Sequence, residues 1–92
     1  MQGNIQFFKG EKKYVSCEVI PKNSAETVVI TSVVYELATI KKKQIIETGA
    51  CTIEGNKAQV LLDMDERGSF LLTFTAVVGP ETIKASAIID VL

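Results

Sequence analysis

Hydrophobic residues recur at every second position through most of this chain, and nowhere do they keep the 3.6-residue period of a helix face. Ile5-Gln6-Phe7-Phe8 is a short first run, closed by a turn at Lys9-Gly10-Glu11-Lys12. The second run, Tyr14 to Ile20, puts Val15, Cys17 and Val19 on one face and Tyr14, Ser16 and Glu18 on the other. Pro21-Lys22-Asn23-Ser24 reads as a loop. A third run, about Val28 to Ala38, is rich in β-branched residues and ends before the solvated turn Lys41-Lys42-Lys43. Gln44 to Thr48 is a fourth run, with Gly49 after it as a candidate bulge. Cys51 to Glu54, Lys57 to Met64, Ser69 to Val78 and Thr82 to Val91 complete the series. Short strands divided by turn signals predict an all-β domain.

Two hairpins carry their own register. Gly55-Asn56 suggests a two-residue turn that sets Glu54 opposite Lys57, Ile53 opposite Ala58, Cys51 opposite Val60 and Gly49 opposite Leu62. Glu54 and Lys57 would then form an exposed cross-strand charge pair. At Gly79-Pro80 the same reasoning sets Phe74 opposite Ala85, Leu72 opposite Ala87 and Phe70 opposite Ile89. Large side chains meet small ones at two of these three pairs. A slip of one residue would turn Lys84 and Asp90 into the core, so this register is strongly specified.

The run Asp65-Glu66-Arg67-Gly68-Ser69-Phe70-Leu71-Leu72-Thr73-Phe74-Thr75-Ala76 leads from an acidic turn through a glycine into an alternating strand. That is how the sixth strand of an immunoglobulin-like sandwich begins. The fold predicted is a single Ig-like antiparallel β-sandwich of about seven strands over residues 1–92. One sheet is expected to hold the first, second, Cys51–Glu54 and Lys57–Met64 runs. The other is expected to hold the third run and the last two. The antibody pattern is incomplete: Phe70 stands where a corner tyrosine would, Leu72 where the second inter-sheet cysteine would, and tryptophan is absent, with Tyr35 the nearest bulky aromatic on the third strand.

Composition narrows function more by exclusion than by indication. Ten basic and eleven acidic residues give a net charge of −1, which argues against a nucleic-acid partner. The same small charge permits self-association. No apolar stretch approaches the roughly 20 residues of a membrane helix, so no membrane partner is expected, and no secretory signal is visible. Histidine is absent, which removes Ser-His-Asp and Cys-His catalysis and ordinary zinc sites. Cys17 and Cys51 read as two small buried hydrophobes rather than a disulfide. No cofactor and no catalytic or metal residues are expected. Asp63, Asp65 and Glu66 could ligate calcium but read first as an acidic, solvated turn. Lys41, Lys42 and Lys43, with Lys9, Lys12 and Lys13, could form an anion patch but read first as lysines that keep loops and edges soluble.

The more suggestive pattern is apolar. In the register above, Leu71 and Ile88 face each other and point away from the core, and Leu61 and Ala50 form a similar outward pair on the other sheet. Ile5 and Phe7 lie on a terminal strand able to pair across subunits. These residues are the candidate interface: Leu71, Ile88, Leu61, Ile5 and Phe7. The competing reading is burial under a loop of the same chain.

Three segments resemble a known group of proteins: Ile5-Gln6-Phe7-Phe8-Lys9-Gly10-Glu11, Val33-Val34-Tyr35-Glu36-Leu37, and Gly68-Ser69-Phe70-Leu71-Leu72-Thr73-Phe74. They are similar to small Ig-like structural proteins of tailed phages and prophages of Gram-positive bacteria, and to the N-terminal domain of phage baseplate upper proteins. The resemblance implies a non-enzymatic structural part of a tail or baseplate-type assembly, made in the cytoplasm and virion-associated, whose partners are other virion or tail proteins and copies of itself. A second reading is a bacterial Ig-like module that recognises a surface carbohydrate or protein through its loops at Pro21–Thr27 and Asp63–Gly68, with Tyr14 the plausible outward aromatic.

Overall fold

A computed structural model describes residues 2–19 and 29–92. The Pro21–Thr27 loop expected from the sequence lies outside those residues. The described strands are β1 (Gln2–Phe7), β2 (Glu11–Glu18), β3 (Ile30–Thr39), β4 (Ile45–Ala50), β5 (Thr52–Glu54), β6 (Lys57–Met64), β7 (Gly68–Val78) and β8 (Glu81–Val91). They form a five-stranded sheet, β1-β8-β7-β3-β4, and a three-stranded sheet, β2-β6-β5.

The alternation read from the sequence sets what is buried. Phe70, Leu72, Phe74 and Ala76 of β7, Val33, Tyr35 and Leu37 of β3, and Val60, Leu62 and Met64 of β6 all point into one core. Each is flanked by residues that face out, which is the signature of two sheets each solvated on one side. The β7–β8 hairpin takes the expected register: Phe74 pairs with Ala85, Leu72 with Ala87, Phe70 with Ile89 and Leu71 with Ile88. The β5–β6 hairpin turns at Gly55-Asn56, where Gly55 takes a positive φ of 63° that costs it nothing.

Three expectations are corrected. The first strand does not join the sheet of β2; it pairs parallel with β8, Ile5 opposite Ile89 and Phe7 opposite Val91. The turn after it crosses from one sheet to the other. The Glu11 carboxylate accepts from the Phe8 N–H at 3.0 Å. That bond, and then Lys13, hold the Glu11 pKa below the usual carboxylate range. Lys13 donates to the Gln6 carbonyl at 2.7 Å and sits 4.5 Å from the Phe7 ring centroid, so it straps the outer edge of β1 to β2.

The second correction concerns Gly49 and Cys51, which do not follow β5 along β6. Gly49 pairs with Tyr35 in the five-stranded sheet. The chain changes sheets at Cys51, whose N–H donates to the Val33 carbonyl at 2.9 Å. One residue thus separates a strand of one sheet from a strand of the other and closes the sandwich on that side. The irregularity expected at Gly49 falls elsewhere. Leu37 pairs with Glu47 and Ala38 with Ile45, so Ile46 is the extra residue of a bulge.

Third, the ion pair of Lys57 is with Glu18 on β2, at 3.9 Å, and not with Glu54. Lys57 stands between β2 and β5 and is in register with both. Both partners are exposed, so the pair contributes little.

Candidate interaction face

The outer face of the five-stranded sheet carries a row that crosses every strand. Asn4 of β1 is opposite Ile88 of β8, Ile88 opposite Leu71 of β7, Leu71 opposite Ala38 of β3, and Ala38 opposite Ile45 of β4. Four of the five are apolar. Ile40, in the turn after β3, donates its N–H to the Ser69 carbonyl and adds its side chain beside the row. Leu71, Ile88, Ala38, Ile40 and Ile45 line one open groove of about 520 Å³. Ile45 is 52 % exposed and Ile40 40 %.

The sequence finds the Leu71–Ile88 centre of this row but not its extension to Ala38, Ile40 and Ile45. Those residues join it through the pairing of β3 with its neighbours, and the bulge at Ile46 breaks the alternation that would have exposed Ile45 as an outward position. The signal present in the sequence is an isoleucine on each side of the lysine turn, Ile40 before it and Ile45 after it.

Other rows flank the apolar one, the nearest of them polar. On one side Ser86, Thr73, Glu36 and Thr48 follow in sequence across β8, β7, β3 and β4, and beyond them Lys84, Thr75, Val34 and Ala50. Glu36, Thr48, Thr73, Thr75, Lys84 and Val34 line a second open groove of about 340 Å³. On the other side Asp90 accepts from the Ser69 hydroxyl at 2.7 Å. Lys43 lines the apolar groove from the β3–β4 turn. The ion pairs among the described residues are Lys13–Glu11 and Lys57–Glu18, so Glu36, Lys84, Asp90 and Lys43 enter neither.

Other candidates fall elsewhere. Phe7 is not a surface residue: its side chain is fully buried. Ile5 is half-buried against the same core. Because β1 already pairs with β8, only its far edge is open to an added strand. Leu61 does face outward, at 45 % exposure, but its cross-strand partner is Tyr14 and not Ala50, which pairs with Val34 in the other sheet. Tyr14 lies on a sheet face, as its place in the second run predicts. Phe8, 65 % exposed in the β1–β2 turn, is a second outward aromatic and lies just past the strand that its sequence run predicts.

Asp63 pairs with Lys12 on the outer face of the small sheet, apart from the loop that holds Asp65 and Glu66. Among the described residues no group of three or more His, Cys, Asp or Glu converges to hold a metal ion. Lys9, Lys12 and Lys13 lie at the β1–β2 side of the sandwich, while Lys41, Lys42 and Lys43 lie in the β3–β4 turn at the opposite edge of the five-stranded sheet. Cys17 and Cys51 are free and half-buried. Burial raises both thiol pKa values, that of Cys51 to about 11 with help from nearby Cys17.

No protein-family model matches the chain, and no curated protein matches it in sequence. Its fold does have solved counterparts. The crystal structure of the ZIG-8–RIG-5 IG1–IG1 heterodimer, in its monoclinic form, superposes with a TM-score of 0.52 at 14 % identity, over 100 % of this chain and 83 % of that chain. The architecture is an immunoglobulin-like β-sandwich.

Proposed function

We propose that this domain is a non-enzymatic protein-interaction module whose binding surface is the outer face of the five-stranded sheet. The observation that carries this reading is the apolar row Ile88–Leu71–Ala38–Ile45, continuous across four strands and open to solvent. Single outward apolar residues need no explanation, but an aligned row on a sheet face removes more apolar surface from water when a partner covers it. A rigid sheet also presents that row with little ordering cost on binding. The ZIG-8–RIG-5 heterodimer is an association of Ig domains, which is consistent with this use of the fold. The finer role, a structural part of a phage or prophage tail or baseplate-type assembly with virion proteins as partners, rests on the sequence resemblance. Absence of catalysis is supported by the open form of both grooves and by the lack of histidine.

A photoreactive residue placed at position 71, and as a control at Gln59 of β6, tests the reading in lysate of cells that carry the gene. The expected result is a discrete protein adduct from position 71, to another protein or to this chain, that Ile88→Lys abolishes and position 59 does not give. Equal labelling from both faces, or none from position 71, rejects it.

A further inference from the structure

We infer that the occupant of this face is a second copy of the chain, packed face to face about a two-fold axis that runs along β7. This rests on the reading above that the outer face is a protein interface, and names the partner.

The argument is one of self-complementarity. A two-fold axis along β7 leaves each row in place and exchanges β8 with β3, and β1 with β4, across the axis. Leu71 then meets Leu71 of the second copy on the axis. Ile88 meets Ala38, a large side chain against a small one, and Ala38 meets Ile88 in return. The charges follow the same operation. Glu36 of β3 lands over Ser86 of β8, one step along that face from Lys84, and the partner's Glu36 approaches Lys84 reciprocally. Asp90 of β8 lands over the end of β3, beside the turn that carries Lys43. Groups that enter neither ion pair of the single chain thereby acquire opposite charges, each contact made twice.

The other in-plane axis, along the apolar row, fits the side chains less well. It keeps each strand over its own copy and inverts the rows. Ile88 then meets Ile88 and Ala38 meets Ala38, large against large and small against small, with Glu36 over Ile40 and Ser86 over Asp90. Size also fits. With strands about 4.8 Å apart and roughly 30 Å of strand length, the face is about 24 Å wide with a footprint on the order of 700 Å², near the roughly 800 Å² each partner gives to a standard interface. A net charge of −1 opposes the association of two copies only weakly.

Sedimentation velocity across a wide concentration range, on the whole chain and on Glu36→Lys, Lys84→Glu and the double exchange, tests the inference. The wild-type chain is expected to show a monomer–dimer equilibrium. Each single reversal sets like charges together at two places and should weaken it by roughly tenfold or more; the double exchange restores opposite charges and should return the dissociation constant to within about threefold of wild type. Both side chains point to solvent, and circular dichroism with thermal melting verifies that each variant is folded. A chain that stays monomeric to the highest concentration, or a double exchange as weak as the sum of its singles, overturns the inference. A monomer that still gives a specific adduct to another protein from position 71 overturns the second copy alone and leaves the interaction face standing; loss of both results overturns both.

Discussion

The ring of Tyr35 lies across Gly49 on the neighbouring strand, and its hydroxyl donates to Glu47 Oε2 at 2.6 Å. Tyr35 is the bulky aromatic of β3, and β4 leaves it room by having no side chain where the ring passes. A Cβ at position 49 would stand 2.9 Å from Tyr35 Cε1 and 3.3 Å from its hydroxyl oxygen. Because the ring is buried and held by its hydrogen bond, Gly49→Ala should destabilise the fold by about 1–3 kcal/mol, as overpacking does. Denaturant unfolding of Gly49→Ala in wild-type and Tyr35→Leu backgrounds checks this: the cost should fall sharply where the ring is gone.

The same hydrogen bond sets a pH dependence. Donation to Glu47, followed by burial and the nearby carboxylate charge, raises the Tyr35 pKa from 10 to about 12. The folded chain therefore keeps this proton at a pH where the unfolded chain has lost it. The stability so conferred is fully present below pH 10 and is lost between about pH 10 and 12. Absorbance of tyrosinate should show a step near pH 12 that Tyr35→Phe removes. That variant should also lose about 0.5–1.5 kcal/mol at neutral pH, the usual worth of one hydrogen bond, and show less decline in stability over the same alkaline range.

Two adjacent phenylalanines should respond in opposite ways. Phe7 is fully buried and Phe8 is 65 % exposed. Phe7→Ala should cost about 3–5 kcal/mol, from lost burial and the cavity left behind. It should also loosen β1, because the Lys13 ammonium that rests over the ring loses its seat. Phe8→Ala should change stability by no more than about 0.5 kcal/mol. Chemical denaturation of the two variants decides whether Phe7 is core or surface.

The cysteines should behave as sluggish thiols. Burial, and secondarily Cys17, raise the Cys51 pKa to about 11, so its reactive thiolate is scarce near neutrality. A thiol reagent at pH 8 should label both residues far more slowly than a free thiol, and the Cys51 rate should climb about tenfold per pH unit while the fold persists. Rapid, complete labelling at pH 7 would mean that the sandwich opens at the Cys51 crossover.

The register of the β7–β8 hairpin, and that of β5–β6 at Glu54–Lys57 and Ile53–Ala58, is legible because a short turn and a period of two leave one choice that keeps charges out of the core. The centre of the candidate face followed from them, since Leu71 and Ile88 are partners in one hairpin. Its extension did not, because Ala38 and Ile45 reach the row through pairings between distant strands and past a bulge. Local pattern suggests a bulge at Gly49, whereas its role is to admit the Tyr35 ring, a contact that no local pattern encodes.

Alternation and composition alone specify a β-sandwich, the side of most strands that faces the core, and the exclusion of histidine-dependent chemistry. Long-range packing sets the parallel pairing of β1 with β8 and the change of sheets at Cys51. The reason is physical. Alternation fixes the side of a strand that must be buried, but both sheets look onto one core, so an inward Phe7 satisfies either. Which sheet takes the strand depends on which open edge its backbone can reach once the other strands are in place, and that competition is non-local.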